Sequence, residues 1–245
     1  MKRIALVCLA LLLTACGTPQ SATPGPTPEA ITLLFPAALQ SWVDKMSSCA
    51  DGDPLVGLYI MPLSSSKSSL LSNEIMLEMG DPTPQAGSLY LSQVGWEQLA
   101  VVVNQGNELA QLTGSELQAI FSGKILKWDA GTGQLIQVWV LPDGDPLRQI
   151  FDQAVLPPRL LAPEARLAPN PNAMLEAISK DVAAIGYLPV SLIATGDPAQ
   201  VAKVKIISLD EKLSAEFHLP VIAATQSEPQ GLMRGLLACL TANQP

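Results

Sequence analysis

Short aliphatic runs of strand length alternate with stretches of helical period along most of this chain, and that alternation constrains the fold more than any other feature. The strand candidates are Pro54–Pro62, Leu99–Val103, Val138–Leu141, VAAIGYLP from Val182, VAKVKIISL from Val201, and Leu219–Thr225. Between them, FPAALQSWVDKMSSC sets Phe35, Leu39, Trp42, Val43 and Met46 at i, i+3 and i+4, with Pro36 in the first turn. A second helical pattern runs through Leu70, Leu71 and Ile75. LTGSELQAIFSGKILKW carries a capping box, Thr113 to Glu116, an apolar face of Leu117, Ile120 and Phe121, and Gly123 as its stop. Asp145-Pro146 opens a helix with Leu147, Ile150, Phe151 and Val155, a loop-rich section spans Pro157 to Asn170, and Asn170-Pro171 caps a helix with Met174, Leu175 and Ile178. EPQGLMRGLLACL closes the chain as a helix. No fixed-period repeat occurs, so the class is α/β. With 48% hydrophobic but only 4% aromatic residues, the core is expected to be mainly aliphatic.

The first residues follow a different logic. Met1-Lys2-Arg3, an apolar run from Ile4 to Leu13 and a small-residue exit make a secretion signal over residues 1–15, too short for a membrane span. LTAC, Leu13 to Cys16, resembles the bacterial lipobox, which implies cleavage before Cys16 and its lipidation; an ordinary signal with an incidental cysteine is the alternative. Residues 16–29 would then be the lipidated cysteine and a tether, since Gly17–Glu29 is rich in Pro, Gly, Ser and Thr without apolar periodicity. Anchor, tether and body in that order place the body just outside a membrane. The formal charge of −8, more negative still without Lys2 and Arg3, comes with no basic stripe. Nucleic acid is therefore excluded as a partner, and membrane affinity has to come from the lipid. Cys49 and Cys239 remain in the body; an exported compartment permits a disulfide, and two buried thiols are the other reading.

Enzyme chemistry finds little foothold. His218 is the only histidine, and with Cys49 and Cys239 it offers no metal-ligand spacing, so no metal or other cofactor is expected. There is no Gly-x-Ser-x-Gly elbow and no glycine-rich nucleotide loop. The stretch Val138–Leu156 has instead the shape of an anion site, a strand, a tight turn and a helix start whose free N–H groups converge. Its turn nevertheless holds Asp143, Gly144, Asp145 and Pro146.

Three segments together resemble the phosphate-type periplasmic solute-binding proteins of ABC importers: LTGSELQAIFSGKILKWDAG, VAAIGYLPVSLI and FPAALQSWVDKM. The Ile-Phe-x-Gly-Lys-Ile-x-x-Trp pattern is the most specific, and order and spacing fit from about Ile31 to Leu240. The resemblance implies a two-lobed type II binding-protein fold with crossing hinge strands and a small-molecule ligand held between the lobes. It implies residues 30–103 plus 206–245 for lobe 1 and 104–205 for lobe 2, with Asn104 near one crossover. It also puts Cys49 and Cys239 in one lobe, which favours their bridging, and names an ABC permease as partner.

The family's three anion-holding helix starts map onto Thr32–Pro36, Ser64–Ser66 and Leu141–Leu147. Departures are concentrated there. Leu34 stands where a hydroxyl donor is expected, and an Arg-x-Asp-x-Ser-Gly-Thr pattern has become Leu141-Pro142-Asp143-Gly144-Asp145-Pro146-Leu147. Pro146 cannot donate an N–H, and Asp145 as N-cap would occupy the remaining donors. Asp145 would also repel an anion: two like charges at ~4 Å cost about 4 kcal/mol at an effective dielectric of ~20. Arg148 either offsets this in part or is a solvated surface charge, and Lys67 reads as surface. The hydroxyls of Ser64, Ser65 and Ser66 either contact a ligand or cap an ordinary helix. The candidate ligand residues are thus Thr32, Leu34, Ser64, Ser65, Ser66, Asp143, Gly144 and Asp145. They frame a solute-binding lipoprotein whose ligand is neutral or cationic rather than phosphate, with a non-transport sensor or scaffold as the alternative.

Overall fold

The computed structural model describes residues 27–63, 67–81, 88–128, 133–156 and 160–245, so the signal, Cys16, most of the tether and Ser64–Ser66 lie outside it. In chain order the elements are β1 (Glu29–Phe35), α1 (Gln40–Asp51, entered through a short 3-10 turn), β2 (Val56–Pro62), β3 (Glu74–Met79), β4 (Tyr90–Asn104) and β5 (Gln111–Leu112). Then come α2 (Gly114–Phe121), β6 (Gln137–Val140), α3 (Pro146–Val155), β7 (Arg166–Leu167), α4 (Pro171–Lys180) and β8 (Ala184–Pro189). The chain ends with α5 (Val190–Thr195), α6 (Pro198–Val201), β9 (Val204–Ile206), β10 (Ser208–Leu209), α7 (Glu211–Glu216), β11 (His218–Thr225) and α8 (Gly231–Ala242).

One strand organises the molecule. β4 pairs antiparallel with β11 from Tyr90 to Gln98, then with β8 from Leu99 to Val103. The strand order is β2-β1-β3-β11-β4-β8-β6-β7, with β9 on β4 as well. The first part of β4 therefore belongs to one half of the sheet and its second part to the other. The chain returns along the same edge of β4: Ile207 N–H donates to Val101 O, and Leu99 N–H donates to Phe217 O. Two crossing segments thus lie side by side at Leu99–Val101, which is the two-lobed periplasmic-binding-protein architecture. The sequence pattern shows only the second part of β4, because LAVVV is continuously apolar whereas YLSQVGWEQ follows no period of two, leaving Trp96 exposed and burying Glu97.

Helix termini follow the local chemistry. The Thr113–Glu116 capping box forms, Asn170 caps α4 through its side chain, and Asp145 caps α3. The pattern through Leu70, Leu71 and Ile75 does not make a helix. Leu63–Asn73 is an irregular connection in its described residues, and Ile75 falls in strand β3. The reason is packing on both faces. Ile75, Leu77 and Met79 join the main core, while Met76 joins a small cluster with Leu34, Leu70 and Ala224. A central strand buried on two faces gives an unbroken apolar run, and a run that short carries no decisive period. Here the connection itself covers the sheet, by inserting Leu70 against Leu34.

In the other half, Phe151 stacks on Tyr187 at 4.0 Å and leans on Phe121 at 4.6 Å. Each such buried ring stabilises the fold by about 1.5–3 kcal/mol through area removed from water. Cys49 of α1 and Cys239 of α8 are joined by a disulfide that ties the two ends of the first half together. Among the described residues no helix is long and apolar enough to cross a membrane.

Candidate functional site

A cleft of about 650 Å³ opens where the two halves face each other. One wall is β3 from Met76 to Met79 with Gly80 and Asp81 after it, joined by Pro36, Leu63 and Leu219. The opposite wall is the start and exposed face of α3, with Gly144, Pro146, Gln149, Ile150 and Gln153, and Glu216 at the end of α7. No lysine, arginine or histidine is among the described residues lining it.

The turn leading into α3 is built to satisfy itself. Gly144 takes φ +87°, a left-handed conformation that favours glycine, and turns the chain from β6 into the helix. Asp145 accepts from Leu147 N–H at 2.9 Å and Arg148 N–H at 3.3 Å, and Pro146 has no N–H to give. The donors that an anion would use at this terminus are thereby taken. Burial pushes the Asp145 carboxyl up, against the lowering effect of those two N–H groups and the Arg148 charge.

Arg148 is not a solvated surface charge. It is 5% exposed, because α3 turns its side chain back toward the end of β6. Its Nε donates to Asp152 Oδ2 at 2.6 Å, Nη1 donates to Leu141 O at 2.7 Å, and Nη2 lies 3.7 Å from Asp143 Oδ1. One guanidinium thus braces the turn and is shared by two carboxylates, so Arg148 is not free to receive an anion. Asp152, like Asp145, is raised first by burial and lowered by its bond to Arg148.

The residues expected at the site separate in the fold. Gly144 lines the cleft, and Asp145 sits behind it as the cap. Asp143 has a fully exposed side chain beside the turn. Leu34 is 0% exposed in the small apolar cluster with Leu70, Met76 and Ala224, so its side chain reaches no ligand. Thr32 lies within β1 between β2 and β3, and Pro36, not Thr32, reaches the cleft. Ser64, Ser65 and Ser66 are outside the described residues, and no helix follows them before β3.

Two acidic residues of consequence were not among the sequence candidates. Glu78, on β3 opposite Ile222, lines the cleft at 7% exposure, and neither carboxylate oxygen has a hydrogen-bond partner among the described residues. An unmade bond on a buried polar group costs about 1–3 kcal/mol, and more when the group is charged. Glu97 is 3% exposed but fully provided for. Its Oε2 accepts from Trp42 Nε1 at 3.0 Å, and its Oε1 accepts from Gln98 N–H at 3.0 Å and Ser191 N–H at 3.2 Å. The signal available for Glu78 is an acid within the apolar run IMLEM, Ile75 to Met79, which the helical pattern through Leu70, Leu71 and Ile75 obscures.

Among the described residues no group of three or more His, Cys, Asp or Glu is placed to hold a metal ion. His218, the one histidine, stacks on Trp96 at 4.6 Å on β11 and β4.

A putative phosphate ABC transporter substrate-binding protein from Clostridium perfringens, solved with bound phosphate, has a TM-score of 0.72 at 17% identity, covering 86% of this chain and 93% of that one. An ABC-type phosphate transport receptor from Vibrio cholerae has a TM-score of 0.63 at 20% identity, with coverage of 86% and 93%. The reduced form of the OxyR regulatory domain from Pseudomonas aeruginosa has a TM-score of 0.57 at 9% identity, with coverage of 87% and 95%. No curated protein matches significantly. At such identities the likeness is one of fold. The model of the PBP superfamily domain, however, matches residues 72–228, well over half of the sequence, and so the chain belongs to the PBP superfamily.

Proposed function

We propose that this chain is an extracytoplasmic solute-binding lipoprotein, anchored through Cys16 and serving an ABC importer, whose cleft takes a ligand other than phosphate. The fold and the likeness to substrate-binding proteins support the solute-binding part. The single observation behind the altered ligand is the α3 terminus, where Asp145 consumes the Leu147 and Arg148 N–H groups and Asp143 and Asp152 hold the Arg148 guanidinium. A phosphate dianion there would meet acceptors where it needs donors. On this reading the lobes divide where β4 changes partners, between Gln98 and Leu99 rather than at the 103/104 boundary that the resemblance implies, and closure bends the chain there.

Isothermal titration with inorganic phosphate is expected to show no binding; tight phosphate binding refutes the proposal. Metabolic labelling with palmitate, lost in Cys16→Ser, tests the anchor.

One observation favours the second reading, a sensor or scaffold. Edge strand β2 leaves Tyr59, Ile60 and Met61 exposed, and among the described residues no strand pairs its outer edge. A thermal-shift screen of anions, amines, amino acids and sugars that returns no stabilisation would favour that reading, since any ligand bound only by the folded state raises the melting temperature.

A further inference from the structure

We infer that the cleft is a site for an organic monocation, a primary ammonium on an aliphatic body, with Glu78 as the counter-charge. The inference rests on the solute-binding reading and assigns the ligand's chemical class. Glu78 lines the cleft while both its oxygens lack partners among the described residues, so the wall presents a buried acceptor that none of those residues satisfies. Its acidic neighbours on the cleft do not fill that role. Asp81 is exposed at the end of β3, and Glu216 is exposed and has Lys212 at 3.8 Å.

The lining selects among cations. A divalent metal needs several oxygen ligands, usually more than one carboxylate, and no such group exists among the described residues. An ammonium needs one carboxylate and a few neutral acceptors, and Gln149 and Gln153 on α3 bring amide carbonyls to the facing wall. The remainder of the surface is apolar, with Leu63, Met76, Met79, Ile150 and Leu219 suited to a hydrocarbon chain. A carboxylate-bearing ligand such as an amino acid would bring a second negative charge to a lining that offers no cation among the described residues. The Asp143 and Asp145 carboxylates, to which the sequence pointed, are turned to Arg148 and the α3 backbone.

The test uses the full-length protein, butylammonium chloride, 1-butanol as neutral isostere, sodium butyrate and inorganic phosphate, read by thermal shift and titration calorimetry. Butylammonium at about 10 mM should raise the melting temperature measurably, with 1-butanol, butyrate and phosphate inert. Glu78→Gln should fold, melt no lower than the parent, and bind butylammonium about tenfold to a hundredfold more weakly, the scale of a charge-assisted hydrogen bond. If 1-butanol matches butylammonium, if Glu78→Gln keeps its affinity, or if butylammonium leaves the protein unchanged, the inference is overturned. Should Glu78→Gln fail to fold, the comparison of butylammonium with 1-butanol on the unaltered protein decides. Tight phosphate binding would overturn the proposed function as well, whereas binding of neutral solutes alone would sink only the assignment to a cation.

Discussion

Glu78 and Glu97 are both buried carboxylates on strands of the same sheet half, yet their surroundings are opposites. Glu97 stands next to the point where β4 changes partners and collects three N–H donors, from Trp42 on α1, from Gln98 and from Ser191 on α5. Those elements come from both halves of the sheet, and the Ser41 and Thr195 hydroxyls add a second tie at 2.8 Å between the same two helices. Glu78 collects none among the described residues. A satisfied buried acid fixes a geometry; an unsatisfied one is a demand left for something else to meet. The same residue type thus marks the rigid part of the junction and the part that faces the cleft. Gly95 belongs to the rigid part: a Cβ there would meet the Trp42 ring at 2.4 Å, so the indole lies against bare backbone on its way to Glu97.

This contrast breaks most readily at Glu97. Glu97→Ala strands the Trp42, Gln98 and Ser191 donors together, and a loss of about 3–5 kcal/mol in urea unfolding is expected, as for removing one partner of a buried network. A loss below ~1 kcal/mol would show that the network is not the tie described. Cutting the covalent tie of the same half with Cys49→Ser and Cys239→Ser should cost about 2–5 kcal/mol under oxidising conditions, with no further effect of reductant on the double variant. Arg148→Met, which leaves Asp152 and the Leu141 carbonyl without their donor, is expected to cost about 2–3 kcal/mol. Glu78→Gln should run the other way, neutral or up to ~1 kcal/mol more stable in the same assay, because it removes a charge with no partner. A marked destabilisation there would mean that Glu78 is satisfied in solution and would erase the difference between the two acids.

The smallest effect concerns pH. Asp145 and Asp152 have folded-state values raised above the ordinary 3.8, each mainly by burial. A raised value means that the folded form binds the proton more tightly than the unfolded chain. Their stabilising contribution is therefore complete below the unfolded value near 3.8 and fades as pH rises through the raised folded value. Asp145→Asn keeps a capping side chain and should flatten part of that acid-side gain in melting temperature against pH; an unchanged profile would place the titration elsewhere. Glu116 and Asp210, both exposed, are lowered by hydrogen bonds to Thr113 and to the Leu213 and Gly114 N–H groups, and they act in the opposite sense as the solution is acidified.

By itself the sequence determined the α/β class, the caps at Thr113, Asp145 and Asn170, and the family, because these rest on local chemistry and short spacings. It also exposed the conflict at Asp143–Pro146, since a proline and a carboxylate cannot act as N–H donors in any fold. Three matters were left to the tertiary structure. Arg148 is buried because α3 packs against the end of β6, which no window on the helix alone reveals. Leu34 is a packing residue because Leu70, distant in sequence, lies on it. Glu78 differs from Glu97 only through what surrounds each of them, and an acid's partners are set by elements brought together across the sheet, at separations where the chain's own pattern carries no record of the pairing.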